Sequence, residues 1–471
     1  MQHIKIHHFF YLFPIFVWVT LYYGLSFDGL YGQDSYEYLR YTEALRSFMQ
    51  TGKSPGDYFW GVYYPIFGSI LSFIIPNTAI ALQLISVFAF SITAFYLEKI
   101  IQLTYNENSA QNIPFLFFIL SPIALVHSIL IMSDMLACCF TTLAIYHLLL
   151  FIQKDTNRNF LFGAVLAVFA LLTRYAAAVI LLPFCVLALI HLIKKKNYTY
   201  LLLSVLFSGL VAIPHIVIRS QNSLQFLSHP WLQSWSFLNI FQSDFTTVDG
   251  ETKNRYINLI YTFFTFFHPA FLFFGIVLFA VFLKRRKITF YKYQKLFLTA
   301  ILLYLLFLGG IPFQNKRFLI LSFPLAIAFL FPFIKEFFEV LKNQKAVFIV
   351  IILIQFSIGL YYGKPFYQRN SLEKNIADGI RTYQGNTLYA FDIDIALKNR
   401  KLDFRYKSLW KEKLPDFEKN ALLLVNEKQL EKQWKGKNPW LNWETVKQDY
   451  QLEKLKNFPG DFNLYRIVEK K

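Results

Sequence analysis

The chain has 471 residues, 55% hydrophobic, 19% aromatic and only 16% charged, a composition that excludes an ordinary soluble domain and fits a polytopic membrane protein. Its net charge of +18 would suit nucleic acid, but the basic residues fall in short loops that alternate along the chain, which is the pattern of topological anchoring. The three cysteines, Cys138, Cys139 and Cys185, all lie in apolar stretches, which excludes a disulfide framework in the polar tail.

Crossing a bilayer takes about 20 apolar residues, and roughly eleven stretches qualify. They are 9–26, 78–100, 113–131, 135–152, 159–173, 175–193, 199–218, 257–283, 295–312, 318–334 and 346–362. The first lacks the small-residue cleavage pattern of a signal peptide and is expected to remain as a span. Residues 62–75 are apolar but short, with Pro65 and Pro76 bracketing them, which predicts an interfacial or re-entrant piece. The tail, 363–471, is charged and mixed in sign, and short apolar runs such as "NALLLVNEKQL" alternate with helix-like segments. The expected fold is an α-helical polytopic membrane domain, 1–362, with a small extracytoplasmic α/β domain, 363–471.

Lys5 supports a cytoplasmic N-terminus, and the basic groups Lys154/Arg158, 194–196, 284–287, Lys335, Lys342 and Lys345 then all face the cytoplasm. The opposite, outer face receives Asp34, Glu37, Asp134, Arg174, the long loop 219–255 and the turn 313–317. With about eleven spans the C-terminal tail lies outside as well. Nearly every polar group that is not a lysine anchor converges on one face, and this asymmetry is the main functional signal.

In "YGQDSYEYLR", Asp34 and Glu37 have capping-box form ahead of an amphipathic helix over 35–50. Asp34 is either a cap, worth ~1 kcal/mol, or a site carboxylate; the roles coexist, because a cap leaves one oxygen free. Asp134 stands in a turn of a few residues between two apolar spans, where a carboxylate is costly and is by default a functional candidate. The alternative is a cap for the fourth span, a role Ser133 fills equally well. Arg174, alone between two apolar stretches, snorkels to headgroups or clamps an anion. Lys316 and Arg317 are two more potential phosphate ligands at the outer start of the tenth span. Tyr63 and Tyr64 are placed to stack on a sugar or to belt the interface. His127, near the outer end of the third span, joins the two acids as a potential substrate contact or divalent-metal ligand, although no zinc-motif spacing is present.

These features in this order resemble the GT-C membrane glycosyltransferases, in particular the protein O-mannosyltransferase and aminoarabinose transferase branch. The residues that carry the likeness are "YGQDSYEYLRYTEAL", "FWGVYYPIFGSIL", "IMSDML" and "NKRFLILSFPLAIA", within 10–335. The resemblance implies a polyprenyl-phosphate-linked sugar as donor, and an acceptor hydroxyl, on lipid, glycan or protein, activated by an acid of the first outer loop. That acid is matched by Asp34 and the second outer acid by Asp134. Many relatives carry two adjacent acids in the first loop; here Ser35 follows Asp34, and Glu37 is the nearest second acid. The expected chemistry is transfer by single displacement with inversion in a cell (inner or plasma) membrane, without a nucleic-acid partner.

Rival readings are a polytopic transporter or lipid-linked glycan flippase, a glycan polymerase or ligase, and a receptor that displays the tail. A transporter favours inverted repeats and broken helices. The chain has no repeat, and His268-Pro269 is its best sign of a break.

Overall fold

Prolines and small polar residues punctuate the apolar stretches, and the helices of the computed structural model start and stop at them. Residues 11–56, 58–106, 117–219, 228–247, 250–284 and 290–471 are described. Lys5, residues 113–116 of the third expected span, 220–227 of the long loop and 285–287 of a basic run lie outside them.

α1 (Phe13–Leu25) begins with Pro14 in its first turn and ends at Ser26 in the left-handed region. α2 (Gly32–Thr51) is amphipathic and closes on Gly52, whose positive φ lets its N–H reach the Phe48 carbonyl. The expected short piece is α3 (Tyr63–Ser72). α4 (Thr78–Tyr105) is capped by the Asn77 side chain. The third expected span is interrupted: α5 (Pro122–Ile129) starts at a proline and stops at Ile129. The Gln83 amide donates to the Ile129 carbonyl at 2.9 Å. Gly29 sits directly against Gln83 with φ +76°, so a side chain there would meet both backbone strain and a clash.

α6 (Asp134–Lys154), α7 (Asn157–Thr173), α8 (Ala177–Lys194) and α9 (Tyr198–Ile218) follow, with α6 well inside the apolar core and α9 on its outside. A small hairpin follows, β1 (Asp244–Thr247) with β2 (Gly250–Lys253). The eighth expected span is also broken. α10 (Asn258–Phe264) and a 3₁₀ turn stop before His268-Pro269, and α11 (Gly275–Lys284) resumes the run. α12 (Lys292–Gly309) leads to a 3₁₀ turn, Lys316–Ser322, and α13 (Phe323–Glu339). α14 (Gln344–Ile380) is continuous over 37 residues, so the expected boundary at 362/363 falls inside a helix.

Among the described residues seven helices are long and apolar enough to cross a membrane, the 3₁₀ turn before α13 included with it, and α1, α7 and the two pieces around the break are shorter. α9 exposes Leu202, Val205, Leu206 and Val217, the all-round apolar surface that lipid rather than water accepts.

The tail forms a five-stranded sheet. Its strands are β3 (Thr387–Ala390), β4 (Arg405–Ser408), β5 (Leu422–Asn426), β6 (Tyr450–Asn457) and β7 (Phe462–Lys470), ordered β4-β3-β5-β7-β6. β3 is parallel to β4 and β5, while β7 is antiparallel to β5 and β6. α15 (Asp394–Asn399), α16 (Glu427–Trp434) and α17 (Asn438–Asp449) accompany it. Leu423, Val425, Trp434 and Trp443 form a core of their own. Leu388, Leu422, Leu424 and Leu464 instead join Ile376 and Ile380 of α14 in the core that continues into the bundle. Alternating strand residues therefore face two different cores, the consequence of a period-2 pattern.

Candidate active site

The site is assembled where four chain reversals meet. Asp34 lies in the first turn of α2 and Asp134 is the first residue of α6. Arg174 occupies the extended junction between α7 and α8, and Arg317 lies in the 3₁₀ turn before α13. The other ends of α6 and α8 carry Lys154 and Lys194, and there His191 and Lys195 meet Asp155 at 2.5 and 2.8 Å. The bundle therefore has one lysine-rich end and one acid–arginine end.

At the acid–arginine end, Arg317 donates to Asp34 Oδ2 at 2.5 Å and Arg174 donates to Asp134 Oδ1. Both guanidinium groups lie over the Phe318 ring, 4.9 Å (Arg174) and 5.5 Å (Arg317) from its centroid. Two charge-assisted pairs thus share one apolar floor. They differ in access: the Asp34 side chain is 30% exposed and that of Asp134 is 4% exposed. Arg317 keeps an unpartnered buried Nε, and its NH1 has only the Met132 sulfur at 3.3 Å. A donor of this kind is costly to bury and can serve an incoming anion.

The helix start at Asp34 departs from the capping-box expectation. α2 begins at Gly32, two residues earlier, and the local latch is Ser35, whose Oγ accepts the Tyr31 N–H at 2.6 Å and donates to the Tyr31 carbonyl at 2.8 Å. This leaves the Asp34 carboxylate for Arg317. Ser133 occupies the N-cap position of α6 without capping it; its Oγ is 2.7 Å from the Tyr38 hydroxyl, which ties α2 to α6 between the two acids.

The remaining expected residues divide. Glu37 is held by Arg40, with Nε at 2.6 Å. Lys316 Nζ lies 3.2 Å from His268 Nε2, at the entrance to the helix break. His127 is buried beside Phe366 with an unpartnered Nδ1, within the fields of Arg174 and Arg317. Tyr63 and Tyr64 are turned into the packing. The Tyr63 hydroxyl donates to the Val211 carbonyl, and that of Tyr64 lies 2.9 Å from Ser86 Oγ and bonds the Leu82 carbonyl at 3.0 Å. Tyr64 backs Tyr38 edge-on, with ring centroids 5.1 Å apart.

Three contributors escaped the sequence reading. Phe318 is one of 54 phenylalanines and nothing in the sequence marks it. Tyr38 read only as part of an apolar helix face. Arg219, 4% exposed, donates to the Phe59 carbonyl at 2.5 Å and the Tyr175 hydroxyl at 2.9 Å; as a lone cation at a span end it carried the same signal as Arg174. Among the described residues no three or more His, Cys, Asp and Glu side chains gather as a metal-holding group, and each site acid faces an arginine.

A family profile described as dolichyl-phosphate-mannose-protein mannosyltransferase matches residues 63–218. The crystal structure of ArnT from Cupriavidus metallidurans bound to undecaprenyl phosphate superposes with a TM-score of 0.59 at 11% identity, over 97% of each chain. The apo form of the same protein gives 0.53 at 10% identity, again over 97% of each chain. No curated protein matches the chain by sequence. The mostly helical bundle, its sheet-bearing tail and its whole-chain likeness to ArnT together show that the protein has the GT-C fold of the membrane glycosyltransferases, the superfamily its sequence resembles.

Proposed function

We propose that the protein moves a sugar from a polyprenyl-phosphate donor to an acceptor hydroxyl, by single displacement with inversion, on the extracytoplasmic face of a cell (inner or plasma) membrane. The observation that carries this reading is the double Asp–Arg pair over Phe318, with one acid open and one buried. Support comes from the family profile and from the ArnT structure, which holds undecaprenyl phosphate. The positions of the lysine-rich loops support the sidedness, with the N-terminus cytoplasmic and the C-terminal unit outside.

In this mechanism the acceptor oxygen attacks the anomeric carbon and loses its proton to Asp34. The bond from that carbon to the phosphate oxygen breaks, and its electron pair leaves with the lipid phosphate. Arg317, Arg174 and Lys316 take up the developing charge, as cationic clamps do at other phosphate sites. Arg317 meets the donor phosphate with its unpartnered Nε while its NH2 stays on Asp34, so one guanidinium sets the carboxylate and the leaving phosphate side by side. Asp134, buried against Arg174, holds that arginine in position. His127 contacts the substrate, Glu37 steadies Arg40, Tyr64 acts through the packing behind Tyr38, and Tyr63 packs on Phe67 and Phe169.

The helix break at His268-Pro269 is the feature that favours a transporter, where discontinuous helices line the substrate path. Its backbone groups are instead engaged by other side chains. The Gln355 amide bonds the Phe273 N–H at 2.8 Å and the Phe271 carbonyl at 2.9 Å.

The test is sugar transfer from a polyprenyl-phosphate sugar pool in membranes, with wild type beside Asp34→Asn. A normally expressed mutant should lose ~10²–10⁴-fold in rate, the usual worth of a positioned base. Unchanged transfer would pass the base role to Asp134. Absence of transfer by the wild-type protein, with every donor tried, would put the transporter reading first.

A further inference from the structure

Asp34 stands in a helix turn whose one local side-chain latch is Ser35. The N-cap residue, Tyr31, makes no side-chain cap, and the approach contains Ser26, Gly29 and Gly32, all at positive φ. The first turn of α2 is also gripped from the side opposite the site. Positions two apart on a helix point to different faces, so while Asp34 turns to Arg317, Tyr36 turns to the C-terminal unit.

There the Tyr36 hydroxyl donates to Glu373 Oε2 at 2.5 Å and accepts from Arg400 at 2.8 Å. Arg400 also reaches Asp28 Oδ2 at 3.2 Å, and Lys374 Nζ lies 3.2 Å from the same oxygen. Asn370 donates to the Leu30 carbonyl at 2.8 Å and to Asp28 Oδ1 at 2.5 Å. Glu373 is anchored in turn by Arg369 at 2.7 Å, which continues to Asp392 at 3.1 Å. Tyr36, Asn370 and Glu373 are at most 1% exposed. A buried network of this kind contributes little net stability, because desolvation offsets the Coulombic gain; what it fixes is geometry.

We propose that the C-terminal unit is a positioning part of the transfer site: Arg400, Glu373 and Asn370 hold Asp28, Leu30 and Tyr36, and so set where Asp34 is presented. The inference rests on the proposed function for what Asp34 does. It gives the C-terminal unit a task in the transfer itself. Tyr36, Glu373 and Arg400 are positioning residues, because none of them touches the reacting atoms. The reach of such a device is large, since a displacement of ~1 Å at a catalytic group costs on the order of 10²-fold in rate.

The experiment uses the full-length protein, wild type beside Tyr36→Phe and Arg400→Lys, and reads two quantities. One is transfer kinetics. The other is deuterium exchange of peptides covering 28–40, with peptides of β5 and β7 showing that the tail remains folded. Tyr36→Phe removes both bonds at the hydroxyl. It should lower kcat at least 10-fold with the donor KM within two-fold, and speed exchange in 28–40 alone. Arg400→Lys keeps the charge for Asp28 but not the fork that also reaches Tyr36, so it should fall between Tyr36→Phe and wild type in both readouts. Unchanged exchange in 28–40 in both variants overturns the grip. Faster exchange with unchanged kcat overturns the positioning role. Absence of transfer by the wild-type protein counts against the transferase reading, and the exchange data still accept or reject the grip by themselves.

Discussion

Asp28 shows how one carboxylate can be committed to structure while another a few residues away, Asp34, stays part-exposed beside Arg317 for the role proposed above. Burial raises the proton affinity of Asp28, but Arg400, Lys374, Asn370 and the Leu30 N–H outweigh it and hold the carboxyl below its ordinary 3.8. A depressed folded-state value means that its stabilisation is present above the unfolded value and is lost as pH falls through the folded one. The stability difference between wild type and Asp28→Asn should therefore stay constant from neutral pH down to about 4 and shrink only in stronger acid. Thermal unfolding in detergent across that range checks it; a difference that stays flat through strong acid would mean that Asp28 is not held by its cations. Asp34 and Asp134 were legible as residues because charge at the edge of an apolar run is rare. Their partners were legible only as a set, since no spacing rule links position 34 to 317 or 134 to 174.

The broken helix is the element on which sequence and structure part most clearly. A continuous apolar run over 257–283 reads as one span, because hydropathy counts side chains and is blind to backbone hydrogen bonding. Pro269 lacks an N–H, and the chain stops being helical there until Gly275. Such a gap is tolerated inside a membrane only where other groups satisfy the backbone, and that is the role of Gln355, 1% exposed on α14. Gln355→Leu keeps the volume but leaves the Phe271 carbonyl and the Phe273 N–H unpaired, and should cost about 2–5 kcal/mol. Its unfolding midpoint should drop well below that of an exposed control such as Ser357→Ala. An equal midpoint would show that water fills the gap. The third expected span is divided for a related reason, with Pro122 opening α5 and Gln83 closing it. The strands of the tail were more legible, because "LLLV" and "NLYRIV" keep a strand's length and composition in any context.

Over the whole molecule, the sorting of lysines to one end and acids with arginines to the other followed from the order of loops along the chain. The docking of the tail did not, because it depends on contacts more than 300 residues apart, such as Tyr36 with Glu373. α14 joins the two regions without interruption, even across Pro365. Its apolar part, 346–362, spans about 26 Å at the ordinary rise per residue, against ~30 Å of hydrocarbon. The same stiff rod carries Asn370 and Glu373, so its vertical position in the lipid is also the height at which Asp28 and Tyr36 are held. Membrane thickness thereby becomes a control on the proposed transfer. In vesicles of increasing acyl-chain length, transfer should be fastest where the hydrocarbon matches the rod and fall as the bilayer thickens, through mismatch rather than headgroup chemistry.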